Sequence, residues 1–333
     1  MNGGRGRFAR GAVGIGISVV ALALVLRGVD VSRTAAVLAT AVPGWLALMV
    51  AFQLADVSAR GLRWQRLLAP IRRVALARTF DYLLVGYLAN NILPARLGEL
   101  VRSHYLGDRE GVSRTTTLGT VVVERTVDTA VLVAIASLAI LVLQVRGAVA
   151  SAVLVGLALS GLLVVGLSVA LVAHRLPGAG QVVALAGRWP RVHDLAGRLR
   201  GGLAVAGRPR TLGQAIGLSL LAWSATVAAT AAAGQAIGLQ LTTAQAALFA
   251  SGTALSTAIP SGPGYLGTFE LAGVGIGAVL GLPAETSFAL ALIVHVSVLV
   301  ITSVGGAIGF VRIWRRSPAG RAGHLGRLLE RRP

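Results

Sequence analysis

Long apolar segments recur along the chain and are separated by short stretches rich in arginine, glycine and proline. Six of them are long enough to cross a hydrocarbon core of about 30 Å as helices that rise 1.5 Å per residue. They cover residues 11–26, 44–62, 117–143, 149–173, 211–237 and 284–311. The pattern therefore predicts about six membrane-spanning helices.

Two further apolar segments, 79–106 and 243–281, are broken near the middle by proline and glycine. The breaks have the sequences NNILPARLGE (90–99) and AIPSGPGYLG (258–267). Irregular backbone at membrane depth is tolerated only where it is buried in protein or lines a wet cavity. Each broken segment is therefore predicted to be a re-entrant hairpin, that is, a pair of half-helices that enters and leaves the membrane on one side.

The composition agrees with an all-α polytopic membrane protein. Hydrophobic residues make up 55% of the 333 residues, charged residues only 13%, and the mean hydropathy is +0.77. A soluble domain of this size must face water and carries about 25% charged residues. The chain therefore belongs to the membrane class.

The arginines predict the orientation of the chain. The net charge is +19, every basic residue is arginine, and 25 of the 31 lie in stretches that the predicted spans place on one side. Arginine collects in cytoplasmic loops, so we expect a multi-pass protein of the cell membrane with both termini in the cytoplasm. This rule explains the basic charge without nucleic acid, and no nucleic-acid partner is expected.

The domain organisation follows from the same spans. Residues 1–10 are expected to be a cytoplasmic N-terminus, 11–312 the membrane domain, and 313–333 a basic cytoplasmic tail. The first 26 residues are similar to a signal sequence, but no convincing small-x-small cleavage site precedes Arg27. An uncleaved first span is therefore expected.

An internal repeat relates the two halves of the membrane domain, about 44–143 and 211–311. A shift of 166 residues places Pro94 on Pro260 and Gly98 on Gly264. Each half then consists of a span, a broken hairpin and a span, and the predicted orientations of the halves are opposite. Inverted repeats with paired broken helices are typical of transporters, whose binding site lies where the breaks meet.

The first break carries a polar cluster. It contains Asn91, Arg96, Glu99 and Arg102. Pro94 suits the first turn of a helix, whose free N–H groups together with Arg96 would attract an anion such as a lipid phosphate. Alternatively, the charged residues of this short helix pair with one another and only close the hairpin.

A second cluster, Glu124, Arg125 and Asp128, lies within a predicted span. Arg125 and Asp128 are three residues apart and can pair on one helix face. Charges within the membrane are costly and usually functional. A structural network that locks this helix to the first hairpin is an equally good interpretation, and both can hold.

The second break and its neighbours form a third cluster, with Gly262, Gly264, Tyr265, Glu270 and His295. The glycines allow backbone N–H groups to converge on an anion, and Tyr265 offers a hydroxyl and a ring. Alternatively, Gly-Pro-Gly is only the turn that the hairpin needs. His295 either binds substrate or protons, or makes a hydrogen bond between helices.

No catalytic or cofactor motif accompanies these clusters. Cysteine is absent, and the sequence contains neither a zinc-binding H-E-x-x-H pattern nor a P-loop nor G-x-S-x-G. We therefore expect no metal, no cofactor and no catalytic residue.

The three motifs together resemble a known family. GYLANNILPARLGELVRSHYL, TVVVERTVD and IPSGPGYLGTFE, in this order, are similar to the transmembrane region of lysylphosphatidylglycerol synthases, which are also described as flippase-like membrane proteins. The similarity covers about residues 10–315. It implies a headgroup-binding role for a set of residues in the three clusters: Asn91, Arg96, Glu99, Arg102, Glu124, Arg125, Asp128, Tyr265 and Glu270.

The resemblance implies translocation of a phospholipid or polyprenyl-linked lipid between leaflets. Aminoacyl transfer is not expected, because it belongs to a separate soluble domain and only the short tail 313–333 follows the last predicted span. An intramembrane enzyme acting on a lipid phosphate and an accessory structural subunit are the alternatives. The expected partners are membrane lipids, with a second copy of the chain and a separate lipid-modifying enzyme as further candidates.

Overall fold

A computed structural model describes residues 3–93, 97–147, 151, 201–259 and 261–316. Pro94, Arg96 and Pro260 lie outside the described residues. So do the predicted span 149–173, apart from residue 151, and nearly all of the predicted basic tail.

The described part of the chain is helical and contains no strand. We number its α-helices in chain order: α1 (Gly3–Gly28), α2 (Val31–Ala39), α3 (Pro43–Leu68), α4 (Leu76–Ile92), α5 (Gly98–Glu110), α6 (Arg114–Leu143), α7 (Pro209–Ala236), α8 (Thr243–Ser256), α9 (Thr268–Val279) and α10 (Ala284–Arg315).

Four described helices, α3, α6, α7 and α10, are long and apolar enough to cross a membrane. A fifth span results if α1 and α2 are counted together, although the two helices meet at an angle of 83°. The six predicted spans are thus confirmed only as four or five among the described residues.

The surface has the character expected of lipid-facing helices. Large apolar side chains are exposed on one side of α6, α7 and α10, among them Leu141, Leu221 and Val304. Buried arginines and carboxylates lie on the inside. This distribution is the reverse of that in a water-soluble protein and suits a bilayer.

Both broken segments form helical hairpins. In the first, α4 and α5 pack together after the break at 93–97, and the Tyr82 hydroxyl near the start of α4 donates to Glu110 Oε1 at the end of α5 over 2.8 Å. In the second, α8 packs against α9, with a 3₁₀ turn at Pro263–Tyr265 in the break. Whether the hairpins re-enter the membrane stays a prediction.

The same order of elements occurs twice. A long helix, a hairpin and a second long helix run from α3 to α6 and again from α7 to α10. The long helices α3 and α7 pack together along much of their lengths, the first hairpin packs on α10, and the second packs on α6. Each hairpin is thus held by a long helix of the other half.

The sequence analysis missed two features of the helices. α2 lies in a stretch that was expected to be a loop, and Asp30 caps it by accepting hydrogen bonds from the backbone of Ser32 and Arg33. α3 continues to Leu68, beyond the predicted end at residue 62. The second difference places Arg63 and Arg66 within a helix, beyond the predicted end of the span.

Glycines allow the helices to approach closely. On α10, a Cβ added to Gly309 would lie 2.9 Å from the backbone oxygen of Asp81 on α4, so no larger residue fits there. Gly273 of α9 similarly faces Ala291 of α10, and a Cβ at Gly273 would lie 2.6 Å from the Ala291 Cβ. Close contacts through small residues are the usual basis of helix packing in membranes.

Two glycines of α9 provide a matched test of this packing. We expect Gly273→Ala to lower the free energy of unfolding by about 1–3 kcal/mol, because the new methyl group would force α9 away from α10. Gly275, two residues along, has open space around it, so Gly275→Ala should be neutral or stabilising by up to about 1 kcal/mol. Thermal unfolding in detergent measures both, and equal effects would contradict this description of the interface.

Candidate functional site

A cavity of about 340 Å³ lies among the helices, between the two hairpins. Its wall includes the end of α4, the end of α8 and the second break, together with parts of α3, α6, α7 and α10. The polar and aromatic side chains in the wall are Gln53, Asp56, Arg60, Tyr87, Asn90, Asn91, Arg125, Asp128, Thr129, Trp223, Thr226, Thr257, Tyr265, Phe269 and Thr302. Such a concave site with convergent polar groups is the usual place for ligand binding.

The second break adjoins the end of α4 beside this cavity. A Cβ at Gly264, in the second break, would lie 3.6 Å from the backbone oxygen of Asn91, at the end of α4. Gly264 has φ +64°, a backbone conformation that glycine adopts without strain. The Asn91 amide nitrogen in turn donates to the hydroxyls of Thr302 and Ser303 on α10, over 2.8 and 3.0 Å.

Charged side chains beside the cavity form a chain of alternating sign. Arg60 bonds to Asp56 over 2.7 Å and to Asp128 over 3.0 Å, and the chain continues from Asp128 to Arg63. From Arg63 it passes to Glu124 over 3.2 Å, and Glu124 lies 3.0 Å from an Arg102 nitrogen. The chain therefore connects α3, α6 and α5.

A further ion pair, and contacts made by Trp223, add to this ion chain. Arg125 bonds to Glu99 over 2.7 Å, which is a second link from α6 to α5. The Trp223 indole N–H donates to Asp128 over 3.1 Å, and the Arg60 guanidinium lies 4.9 Å from the centre of the Trp223 ring. α7 thus also contributes to the arrangement.

The alternation of sign explains how so many charges can be buried. Arg63 and Glu124 are 0% exposed and Arg102 is 2% exposed. Burying a single ion costs several kcal/mol, and this cost is offset only by close partners of opposite charge. The cluster on α6 therefore does lock this helix to the first hairpin, which was one of its two interpretations.

Three of the predicted binding residues lie behind the cavity wall. Glu99, Arg102 and Glu124 are held in ion pairs and do not line the cavity. Among the described residues, neither a Glu99–Arg102 pair within α5 nor the expected Arg125–Asp128 pair is present, because Glu99, Arg102 and Asp128 have partners on other helices. Their role in binding stays a prediction.

Four of the predicted binding residues do line the cavity. They are Asn91, Arg125, Asp128 and Tyr265. The sequence analysis brought these positions together from three separate motifs. Arg96 lies outside the described residues.

The sequence analysis counted Arg60, at the end of the predicted span 44–62, and Arg63, just beyond it, among the cytoplasmic arginines, and the structure corrects this. Both lie in α3 and belong to the ion chain. A signal for them was present, because Asp56, Arg60 and Arg63 are spaced four and three residues apart and so share one face of a helix. These two arginines therefore no longer count among the cytoplasmic arginines from which the orientation was predicted.

The remaining predicted residues lie in or near the second break. The Gly262 N–H donates to the Ser18 hydroxyl of α1 over 2.9 Å, so this N–H is used within the protein. Glu270, expected to be a lone carboxylate, accepts from the Gly267 N–H over 2.7 Å and hydrogen-bonds to His295 Nδ1. Phe269, in the cavity wall, stacks on the His295 ring at a centroid distance of 4.3 Å.

The Glu270–His295 pair is thus the interhelical hydrogen bond that was one alternative for His295. It joins α9 to α10 and lies directly behind the cavity wall. Within the described residues, no group of three or more acidic or histidine side chains could hold a metal ion.

The ion chain makes a direct prediction for stability. We expect Glu124→Gln to lower the free energy of unfolding by about 3–5 kcal/mol, because it leaves Arg63 and Arg102 buried without their shared carboxylate. The matched variant Glu285→Gln, at a partly exposed position in the first turn of α10, should cost less than about 1 kcal/mol. Thermal unfolding in detergent compares the two variants. A Glu124→Gln protein as stable as the parent would contradict the stabilising role of the ion chain.

Comparison with known proteins gives one clear result. The family model described as "Lysylphosphatidylglycerol synthase TM region" matches residues 11–306. No curated protein and no solved structure matches the chain. The family match covers most of the chain and includes both hairpins and the ion chain, so this protein is a member of the lysylphosphatidylglycerol synthase transmembrane-region family.

Proposed function

We propose that this protein translocates the polar headgroup of a membrane lipid from one leaflet to the other through the cavity between the hairpins. Family membership indicates a role connected with membrane lipids. The observation that carries the proposal is the cavity itself, whose charged and amide groups are enclosed by helices with apolar outer surfaces. A headgroup could exchange its hydration for these groups while the lipid tails remain outside.

An apolar groove next to the cavity supports a lipid as the substrate. It has a volume of about 590 Å³ and lies between α1 and the second hairpin, with Val20, Leu24 and Leu271 in its wall. The hydroxyls of Ser256 and Thr268, also in the wall, donate to backbone oxygens, so they are already satisfied. We propose that this groove holds a lipid chain.

The groove and the cavity are close enough to serve one molecule. Residues 255–259 separate them, since Leu255 and Ala258 line the cavity while Ser256 and Ile259 line the groove. A lipid lying across this segment would place its headgroup on one side and its chain on the other.

The proposed movement also requires an inverted arrangement of the two halves in the cell membrane. The repeated order of elements and the crossed packing of hairpins on long helices support it. In this proposal both termini are cytoplasmic, and each hairpin enters the membrane from the opposite side to the other. A headgroup between the hairpins would then be reachable from either leaflet in turn.

We expect Ala258→Trp to reduce lipid exchange by about tenfold or more, because Ala258 lines the cavity and an indole would occupy much of its volume. The measurement uses vesicles that contain the protein and a phospholipid with a fluorescent acyl chain. Dithionite added outside bleaches the outer leaflet, and the slow loss of the remaining signal reports exchange.

Ala134→Trp is the matched control for this experiment. Ala134 lies on the exposed side of α6, outside the cavity wall, so exchange should remain at the parental rate. Exchange that is equally fast in both variants, or no faster than in protein-free vesicles for the parent, would contradict the proposed function. Release of phosphate from the lipid instead would favour the intramembrane enzyme.

A further inference from the structure

We infer that the part of the headgroup held in the cavity is uncharged and rich in hydroxyl groups, as in a glycolipid, rather than the cationic aminoacyl group after which the family is named. This inference rests on the proposed function and specifies its substrate. Three observations on the cavity wall carry it: the balance of charge, the neutral hydrogen-bonding groups and the aromatic rings.

Among the described residues, the charges in the cavity wall cancel. The wall contains two carboxylates, Asp56 and Asp128, and two arginines, Arg60 and Arg125. Asp128 is already bonded through one oxygen to Arg60 and through the other to Arg63 and Trp223. Asp128 could therefore stabilise a cationic headgroup only if an existing ion pair in this site of low dielectric were broken.

The carboxylates behind the wall are also paired with arginines, although Glu99 Oε2 has no hydrogen-bond partner among the described residues. Glu99 pairs with Arg125, and Glu124 pairs with two arginines. With Asp56 and Asp128 they make four carboxylates against four arginines in the described ion network. No net negative charge is left over that would attract an ammonium group from the lipid.

One neutral group in the wall is buried with an unused acceptor. Gln53 is 4% exposed, and its amide nitrogen donates to the Ser297 hydroxyl over 2.8 Å and to the Val294 carbonyl. Its carbonyl oxygen Oε1 has no hydrogen-bond partner among the described residues. A buried acceptor without a partner costs about 1–3 kcal/mol, and a ligand hydroxyl would remove that cost once the amide turns Oε1 toward the cavity.

Further neutral groups line the same cavity. They are the amides of Asn90 and Asn91 and the hydroxyl-bearing side chains Tyr87, Thr129, Thr226, Thr257, Tyr265 and Thr302. The hydroxyls of Thr226, Thr257 and Thr302 already donate to backbone oxygens, so these three offer a ligand their oxygens as acceptors. Amides and hydroxyls can both donate and accept, which is what recognition of a hydroxyl group requires.

The third observation is that aromatic rings line the cavity wall. Trp223 and Phe269 line the cavity, and both are held in place, Trp223 by Asp128 and Arg60 and Phe269 by His295. The C–H face of a sugar ring is apolar and packs well on such rigid rings, while its hydroxyls reach the amides. Rigid aromatic side chains also lose little conformational entropy on binding.

The test compares two lipids in the vesicle assay described above. One is a glucosyl-diacylglycerol and the other a lysylphosphatidylglycerol, each with the same fluorescent acyl chain. We expect the glucosyl lipid to exchange about tenfold faster, which corresponds to a preference of about 1.4 kcal/mol. The ratio of the two rates does not depend on how much of the protein is folded.

The variant Gln53→Glu makes the test sharper. It keeps the size of the side chain but places a carboxylate in the wall, so the ratio of glucosyl to lysyl exchange should fall by about tenfold. Gln65→Glu is the matched control, since Gln65 lies outside the wall and donates to the Val74 carbonyl over 3.0 Å, and the ratio should be unchanged.

The outcomes separate the two proposals. Faster exchange of the lysyl lipid, or equal rates for both lipids, would overturn the sugar headgroup and leave lipid translocation standing. Absence of protein-dependent exchange for both lipids would overturn translocation itself, and the headgroup assignment with it.

Discussion

Charges inside an apolar bundle are tolerated only when each has a close partner of opposite sign, and this constraint shapes the centre of the protein. Within the described residues, eight ionised side chains from α3, α5 and α6 meet it by alternating in sign: Asp56, Arg60, Arg63, Glu99, Arg102, Glu124, Arg125 and Asp128. The positions of three helices are fixed by these pairs. The cavity is therefore a rigid space with a wall of defined chemistry.

The two halves meet the constraint in different ways. The first half uses the ion network, whereas the second uses one buried pair, Glu270 with His295, which joins its hairpin to α10. The elements repeat, but the chemistry does not. The first half thus contributes the charged and amide groups of the cavity wall, whereas the second half contributes hydroxyl and aromatic groups, which permits binding of a neutral group without unpaired charge.

Much of the architecture could be predicted from the sequence. The apolar segments 117–143 and 211–237 agree closely with α6 and α7, because hydropathy directly reports the length of an apolar helix. Proline and glycine marked both breaks. The end of α3 was misplaced because Arg60 and Arg63 look like loop residues to a hydropathy average. Their partner Asp128 is more than 60 residues away, and pairing at that separation leaves no local signal.

The sequence predicted where the candidate site lies better than it predicted which side chains face the cavity. The sequence identified the hairpin breaks and α6 as its elements, and Asn91, Arg125, Asp128 and Tyr265 do line the cavity. It could not separate residues that face the cavity from those behind it, because Glu124 and Asp128 share one helix face and differ only in what packs against them. Neither Gln53 nor Trp223 carried any signal of its own in an apolar helix.

The central claim is that the space between the hairpins is wet although it is enclosed by membrane helices. The chain contains no cysteine, so single cysteines report on one position at a time. Thr129→Cys in the cavity wall and Ala134→Cys on the exposed side of the same helix, in protein embedded in vesicles, should differ in their reaction with a small water-soluble thiol reagent. Rapid labelling at 129 and almost none at 134 is the predicted result, and equally slow labelling at both positions would contradict the account.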